Sequence, residues 1–249
     1  MKIPFSHRFL SVRPAGLGLA CVLLGLSCNK PLAAEDSKDK PAESDSKPAA
    51  GLIPLEIKLP APAFKGTPKD IQLSSYVEPL SDKPRPPMMV PSGLKNLARG
   101  SKLTCSDKNV MAEDLAKLTD GDKEASDQSV VLLRKGTQYV QMDLGAPSEL
   151  FAIVIWHSHA SAKVYHDIIV QIADDPEFDQ NVKTIFNNDQ DNTSNLGAGT
   201  DREYFETNEG KLIDAKGAKG RYLRFYSKGS TESALNEYTE LEAYGRPAK

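Results

Sequence analysis

Cysteine and net charge are both scarce in this 249-residue sequence, and each deficit excludes a class of protein. Of its three cysteines, Cys21 and Cys28 lie in an apolar leader, which leaves Cys105 alone in the region predicted to fold. That region therefore has no internal disulfide, and we expect Cys105 to pack as a small buried apolar residue. The formal net charge is −3, so no global field attracts DNA or an anionic membrane.

Catalytic signatures are missing as well. The sequence contains no G-x-S-x-G nucleophile elbow, no G-x-x-x-x-G-K-[ST] phosphate loop and no zinc-binding H-E-x-x-H. A glycosidase would need two carboxylates that face each other across a cleft, and sequence spacing neither identifies nor excludes such a pair. We predict a binding protein that is not an enzyme.

The N-terminus has the pattern of an export signal. Basic residues precede an apolar run over 15–26, which is too short to span a bilayer and suits a signal peptide over 1–34. Two endings remain open: a lipoprotein box that ends at Cys28, or cleavage after Ala34. The prediction is an exported protein that is periplasmic, anchored to the outer membrane through a lipid on Cys28, or extracellular.

Residues 35–93 are predicted to form a disordered, proline-rich linker. The part over 37–50 mixes Asp, Glu, Lys, Ser, Pro and Ala without periodicity, and such a composition buries too little surface to fold. From Ile53 onward the segment is apolar as well as rich in proline, and we expect it to be mostly irregular. We interpret it as a spacer. The alternatives are a segment that lies against the domain surface, or a proline-containing ligand for a partner at Pro84–Pro87.

Strand patterns fill the chain from 94 to 249. Val140, Met142 and Leu144 alternate with polar neighbours, and residues 151–156 are apolar throughout, as expected for half-buried and fully buried strands respectively. Turn-rich connections separate about eight such runs, and no helix alternates with them. The sequence predicts one all-β domain, an antiparallel β-sandwich.

Five segments of this region occur in the order found in discoidin, or coagulation-factor type C, domains, and the sequence resembles that family. The segments are Asn96–Gly100, Leu118–Asp122, Tyr139–Gly145, Arg221–Arg224 and Glu240–Gly245. The resemblance implies a galactose-binding-like jelly roll. The lack of paired cysteines favours the bacterial carbohydrate-binding-module type over the disulfide-closed vertebrate members.

The same resemblance implies a structural Ca²⁺. Its ligands would be carboxylates of Asp120, Asp122 and Glu240, together with backbone carbonyls of Lys117, Ala125 and Thr239, with Ser126 as an alternative to Ala125. The residue types suit the ion, because Ca²⁺ takes six to eight hard oxygens and carbonyls complete a shell that few carboxylates fill. The alternative is a solvated acidic turn in which Gly121 supplies a positive φ.

Histidines near the end of the apolar strand are candidates for ligand binding. His157 and His159 point to the same side of an extended strand, and with Lys163 they would donate hydrogen bonds to sugar hydroxyls beside an apolar platform of Trp156 or Tyr165. Zinc is a weaker alternative, because neither a cysteine nor a carboxylate at helical spacing supports it. We interpret Trp156 as a core residue rather than a platform.

The polar loop over 187–194 supplies a further candidate, Asn188. Its Asp189-x-Asp191-x-Thr193 pattern begins like an EF-hand, but Ser194 occupies the position of the turn glycine and Thr200 that of the bidentate glutamate. We therefore expect a surface loop whose amides line a polar ligand site.

Two functions follow from these features. The first is an exported, non-catalytic module that recognises a glycan or cell-envelope polysaccharide through the loops of a calcium-stabilised sandwich. The alternative is a protein-interaction or envelope-scaffold module without a sugar site. In this type of fold recognition lies on variable loops, so the resemblance specifies the scaffold better than the ligand.

Overall fold

A computed structural model describes residues 51–64, 74–79, 81 and 83–249. The predicted signal peptide over 1–34, with Cys28, and the polar stretch over 35–50 lie outside the described residues. Within the described ranges, no helix combines the length and apolarity that a membrane crossing requires.

The domain is built almost wholly from antiparallel strands. Its strands are β3 (Lys95–Asn96), β4 (Lys102–Cys105), β5 (Val131–Leu133), β6 (Gln138–His157), β7 (Ile169–Ala173), β8 (Lys183–Asn187), β9 (Lys211–Ser227) and β10 (Asn236–Pro247). They form one eight-stranded sheet in the order β3-β10-β6-β9-β7-β8, and β4 also pairs with β6 and β5 with β10. One short helix, α1 (Ala112–Leu115), and a 3₁₀ turn (Ala116–Thr119) lie between β4 and β5. The predicted antiparallel β-sandwich is confirmed.

Two long strands, β6 and β9, are shared between the layers of the sandwich. The first half of β6 pairs with β4 and the second half with β10, while β9 pairs along both halves. The β6–β9 register shifts between Asp143 and Ser148 and again between Leu150 and Ala152. Such irregularities bend a strand, and they allow one hydrogen-bonded sheet to fold over a single core.

The core follows the alternation seen in the sequence. Val140, Met142, Leu150, Ile153 and Ile155 of β6 are all fully buried and belong to one apolar cluster with side chains of β7, β9 and β10. Burial of each such aliphatic side chain contributes about 1.5–3 kcal/mol. The inward strand positions predicted from the pattern are therefore the ones that hold the layers together.

Trp156 and Cys105 differ in how well the sequence predicted them. Trp156 is fully buried and its indole N–H donates to the carbonyl oxygen of Asn208 at 3.0 Å, so it is a core residue and no platform. Cys105 is half-buried rather than enclosed, and its thiol donates to the carbonyl oxygen of Asp107 at 3.1 Å. Burial raises the pKa of this thiol.

The described part of the predicted linker differs from a disordered spacer. Strands β1 (Leu52–Pro54) and β2 (Met89–Pro91) form an antiparallel ribbon. The carbonyl oxygens of Lys58 and Pro60 accept hydrogen bonds from Lys123 Nζ at 2.9 Å and Asn208 Nδ2 at 3.0 Å. The expectation of disorder up to residue 93 is wrong for these parts. Proline removes backbone donors, but carbonyls and apolar side chains still allow the segment to dock on the sandwich.

Candidate functional site

The predicted calcium turn lies where the 3₁₀ segment ends against β10. Leu118 is fully buried, and Gly121 adopts φ +94°, which permits the tight reversal. Asp120 Oδ1 accepts from the backbone N–H of Asp122 at 2.8 Å. The Asp122 carboxylate accepts from the backbone N–H of Glu124 at 3.0 Å and from Ser129 Oγ at 2.8 Å. Both aspartates therefore shape the turn, and they also carry its negative charge.

Glu240, on the adjacent strand β10, is the unusual member of this group. It is 1% exposed, and its Oε2 has no hydrogen-bond partner among the described residues. Burial raises the pKa of its carboxyl to about 8, and the negative charges of Glu242 and Asp120 act in the same direction, against the opposing N–H of Gly121. The other oxygen, Oε2, is buried without a donor in the described chain, so it requires a proton or a cation.

The other predicted calcium ligands lie close in the chain to Asp120, Asp122 and Glu240. Lys117 lies in the 3₁₀ turn and Ala125 in the loop that follows, while Thr239 is fully buried beside Glu240. Within the described chain, the one group of three carboxylates whose ligand atoms all lie within 4.8 Å of one another is elsewhere: Asp167, Asp189 and Asp191. The unpartnered Glu240 oxygen and the backbone carbonyls are oxygen donors of the kind that Ca²⁺ takes, although Asp120, Asp122 and Glu240 do not form so compact a group.

Three of the four predicted sugar contacts are buried inside the domain. His157, His159 and Lys163 are 0%, 1% and 6% exposed. His157 Nδ1 lies 3.0 Å from Glu206 Oε2, and His159 Nε2 lies 2.9 Å from the carbonyl oxygen of Lys123. Lys163 Nζ donates to Glu237 Oε2 at 2.8 Å. The prediction that these three residues contact sugar is corrected, because they support the end of β6 from within.

Asn188, the fourth predicted contact, lines an open pocket of about 570 Å³. The pocket lies between two loops, one at His166 and Asp167 and the other over 188–193. Glu203, Lys228, Ser74 and Tyr76 complete its wall. No sequence pattern pointed to the linker residues Ser74 and Tyr76 as parts of a binding site. The only sequence signal for the others is that they are polar residues near strand ends: His166, Asp167, Glu203 and Lys228.

Asn188 is held in one orientation and keeps a spare donor. It is 3% exposed, its Oδ1 accepts from the backbone N–H of Ile168 at 2.6 Å, and its backbone N–H donates to the Ile168 carbonyl at 3.1 Å. Its Nδ2 has no acceptor in the described part of the chain. A buried amide donor without an acceptor costs free energy, and because this atom is itself buried it is not presented to the open pocket.

An ion pair between His166 and Glu203 forms one side of the pocket. The two side chains meet at 2.9 Å through His166 Nδ1 and Glu203 Oε1. The hydrogen bond to Glu203 raises the pKa of His166, and the same bond lowers the pKa of Glu203. The imidazolium form donates through Nδ1 to Glu203 and leaves Nε2–H as a donor for a bound molecule.

The compact acidic group on the opposite side is satisfied by the protein itself. Asp167 Oδ2 accepts from the hydroxyls of Thr193 at 2.7 Å and Ser194 at 2.9 Å, and Lys228 Nζ lies 3.5 Å away. The buried Asp189 accepts from the backbone N–H groups of the same two residues at 3.0 and 2.9 Å. The Asp167 and Asp189 carboxylates therefore fasten the loop over 188–194.

Comparison with known proteins finds solved structures that resemble this chain at low sequence identity. No family model and no curated protein matches the chain. Among solved structures, the CBM32 module of AlyQ, determined with 4,5-unsaturated mannuronic acid, is 17% identical, with a TM-score of 0.40 over 57% of this chain and 92% of that one.

Two further solved structures are of the same kind. A chitosan-binding module from a Paenibacillus chitosanase/glucanase is 15% identical, with a TM-score of 0.43 over 60% of this chain and 98% of that one. A fucose-binding module from Streptococcus pneumoniae is 18% identical, with a TM-score of 0.39 over 61% and 98%. Likenesses at this level do not identify the ligand of this chain.

Proposed function

We propose that this protein is a non-catalytic carbohydrate-binding module whose site is the pocket formed by His166, Asp167, Asn188, Glu203 and Tyr76. The observation that carries the proposal is the pocket itself. Its volume of about 570 Å³ suits a small ligand, its wall mixes donors with acceptors, and an aromatic ring stands at its rim. The ordered discoidin-like segments support the same reading of the scaffold.

The chemistry of the wall matches a hydroxylated ring. Each sugar hydroxyl both donates and accepts, so it pairs with amide and imidazolium donors on one side and carboxylate acceptors on the other. Asp191 is exposed. Its carboxylate can take part in such pairing without dismantling a core contact.

The carboxylates of the pocket are poorly suited to glycoside cleavage. A general acid must carry a proton near neutral pH, which requires a raised pKa. Glu203 has the opposite environment, because its hydrogen bond with His166 lowers its pKa. Asp167 is engaged by two hydroxyls and Lys228. Binding without turnover is the activity this arrangement supports.

We also propose that Ca²⁺ binds at the turn over 117–125 through Asp120, Asp122 and Glu240, with backbone carbonyls of Lys117, Ala125 and Thr239. The unpartnered, buried Glu240 Oε2 supports this assignment. The ion would neutralise three carboxylates and tie the turn to β10, which is a structural role. No sugar contact is assigned to it.

Export and location belong to the same proposal. A module that follows a leader over 1–34, with lipid on Cys28 or cleavage after Ala34, would meet glycans of the cell envelope or outside the cell. The competing function is a protein-docking module. The ribbon of β1 and β2 favours it, because Leu52, Ile53 and Met89 are 36%, 47% and 39% exposed, and such apolar side chains are typical of contact surfaces.

A glycan array distinguishes these functions. The chain without its predicted leader is tested beside Lys228→Ala, which alters the pocket, and Met111→Ala, which removes an apolar side chain that is 58% exposed and does not line the pocket. We expect a defined set of glycans to bind, Lys228→Ala to weaken that binding, and Met111→Ala to leave it unchanged. No glycan binding, together with recovery of one protein partner that is lost on Ile53→Ser, would support the docking function instead.

A further inference from the structure

We infer that the pocket takes a sugar unit that carries no acidic group, and that one face of the sugar ring lies against Tyr76. The segment Ser74–Pro79, which precedes the sandwich in the chain, places Tyr76 at the pocket. The inference rests on the proposed function and specifies its ligand class. Three observations carry it: the docking of the segment, the exposure of Tyr76, and the distribution of charge around the pocket.

The segment Ser74–Pro79 is docked by backbone contacts. Val77 forms a parallel bridge with Glu203, and the backbone N–H of Glu78 donates to the Glu203 carbonyl at 2.7 Å. Arg202 Nη2 donates to the carbonyl oxygens of Ser75 at 3.0 Å and Val77 at 3.2 Å. The position of this segment is therefore determined by two consecutive residues of the domain.

Within this segment Val77 is buried and its neighbour Tyr76 is exposed. Val77 is 7% exposed and packs on Val164 and Phe205, whereas Tyr76 is 57% exposed at the pocket rim. The chain turns at Tyr76, since the backbone N–H of Val77 donates to the Ser74 carbonyl at 3.3 Å, and the burial of Val77 after this turn leaves Tyr76 at the surface. A tyrosine ring is a rigid apolar surface of the kind that carbohydrate rings contact through their C–H faces.

Negative charge exceeds uncommitted positive charge in the pocket. Asp167, Asp191 and Glu203 line it, against His166 and Lys228. Both cations are already engaged: His166 lies 2.9 Å from Glu203, and Lys228 Nζ lies 3.5 Å from Asp167 and donates to the Thr193 carbonyl at 3.1 Å. Arg202 lies behind the segment and is used by its carbonyls.

A carboxylate or sulfate on the sugar would therefore enter a pocket with more acidic than basic side chains, and of the two cations only the His166 Nε2–H is left to receive it. Like charges placed together in a partly buried site are strongly unfavourable. A hydroxyl, an acetamido group or an ammonium group meets acceptors instead. The expected ligands are neutral or amine-bearing sugars, and uronic acids are expected to be discriminated against.

The test uses matched sugars and matched variants of the chain without its leader. Glucose and galactose units are compared with the corresponding amino sugars and uronic acids, each as the terminal unit of the same glycan, by calorimetric titration. We expect the uronic forms to bind at least 10-fold more weakly than the neutral forms. Asp191→Asn should narrow this gap, because it removes one of the repelling charges.

Two controls separate local structure from recognition. Asp214 is an exposed aspartate on β9 whose Oδ1 accepts from the backbone N–H of Lys216 at 2.9 Å, the same local bond that Asp191 makes to Thr193. Asp214→Asn should not change the preference. Tyr76→Ala should weaken binding of the preferred sugar at least 5-fold, while Tyr76→Phe, which keeps the ring, should retain it.

The outcomes distinguish this inference from the function beneath it. Sugar binding in which uronic forms bind most tightly, or in which Tyr76→Ala has no effect, would overturn the inference and leave the binding function standing. A chain that binds no member of the panel would overturn both.

Discussion

Two acidic regions of this protein, the group of Asp167, Asp189 and Asp191 and that of Asp120, Asp122 and Glu240, look alike in sequence. They differ in how many hydrogen-bond donors their carboxylates have. Asp167, Asp189 and Asp191 are close together, within 4.8 Å, yet Asp167 and Asp189 accept several hydrogen bonds from the chain. Asp120, Asp122 and Glu240 are less compact, yet Glu240 retains a buried oxygen without a donor in the described chain. We propose that an unsatisfied buried acceptor, more than the proximity of acids, marks the cation site.

The largest expected effect lies in the compact group. Asp189→Ala removes a fully buried carboxylate that accepts from two backbone N–H groups of the 188–194 loop. Because hydrogen bonds to charged groups each contribute about 1.5–3 kcal/mol, we expect a loss of about 3 kcal/mol in the free energy of unfolding, measured in urea. Added calcium should not reverse this loss. If calcium did restore stability, the loop over 188–194 would be a metal site, and the distinction drawn between the two acidic regions would be wrong.

Calcium should act at the other region. If the ion binds only the folded protein, a concentration 100-fold above its dissociation constant adds about 2.7 kcal/mol to the free energy of unfolding. We expect the Tm to fall on chelation, and Asp120→Ala to abolish that response. Asp191→Ala is the control and should respond as the parent chain does. An unchanged melting curve on chelation would favour the solvated-turn alternative.

The stability of Glu240→Gln, measured with a chelator and with calcium, tests whether Glu240 binds the ion. Burial raises the pKa of this carboxyl to about 8, so without metal it is protonated at neutral pH, and a neutral amide replaces it at little cost. We expect the variant to be about as stable as the parent in chelator and less stable in calcium. A strong destabilisation in chelator would show that Glu240 has a different partner.

The smallest effect concerns pH and the His166–Glu203 pair. The raised pKa of His166 gives stability that is complete below its unfolded pKa and is lost as the pH rises through its folded pKa. The lowered pKa of Glu203 gives stability that is present above its unfolded pKa and is lost as the pH falls through its folded pKa. Both contributions are complete between about pH 4.5 and 6.5.

A partly exposed pair of this kind contributes about 0.5–1 kcal/mol. His166→Asn should therefore destabilise the chain more at pH 5.5 than at pH 8.5, as measured by urea unfolding at both values. An equal loss at the two values would assign His166 a packing role only.

Sequence reasoning located strands better than it located the ligand pocket. The alternation around Val140 and Met142 follows directly from the two-residue period of a strand, so the core positions could be predicted. The histidines were misassigned for the same reason, since alternation identifies the side on which His157 and His159 lie but not whether another layer covers that side. Their burial depends on Glu206 and Lys123, which are 49 and 36 positions away from them, and on the stacking of Tyr165 on His157.

The proline-rich linker also shows that local sequence patterns do not predict tertiary contacts. Proline content predicts the lack of regular structure, and the described residues over 55–64 and 83–88 indeed form no strand or helix. It does not predict docking, which depends on donors such as Lys123, Asn208 and Arg202 placed by the folded domain.

The sequence by itself determined the class of fold, the inward strand positions and the tight turn at Gly121, because each depends on neighbours along the chain. The tertiary structure alone decided which carboxylates are satisfied, which histidines are buried, and that Tyr76 and Asn188 share a pocket. Several of these properties depend on residues that are far apart in the chain, such as Tyr76 and Asn188 or Asp120 and Glu240, so they have no local signature in a sequence.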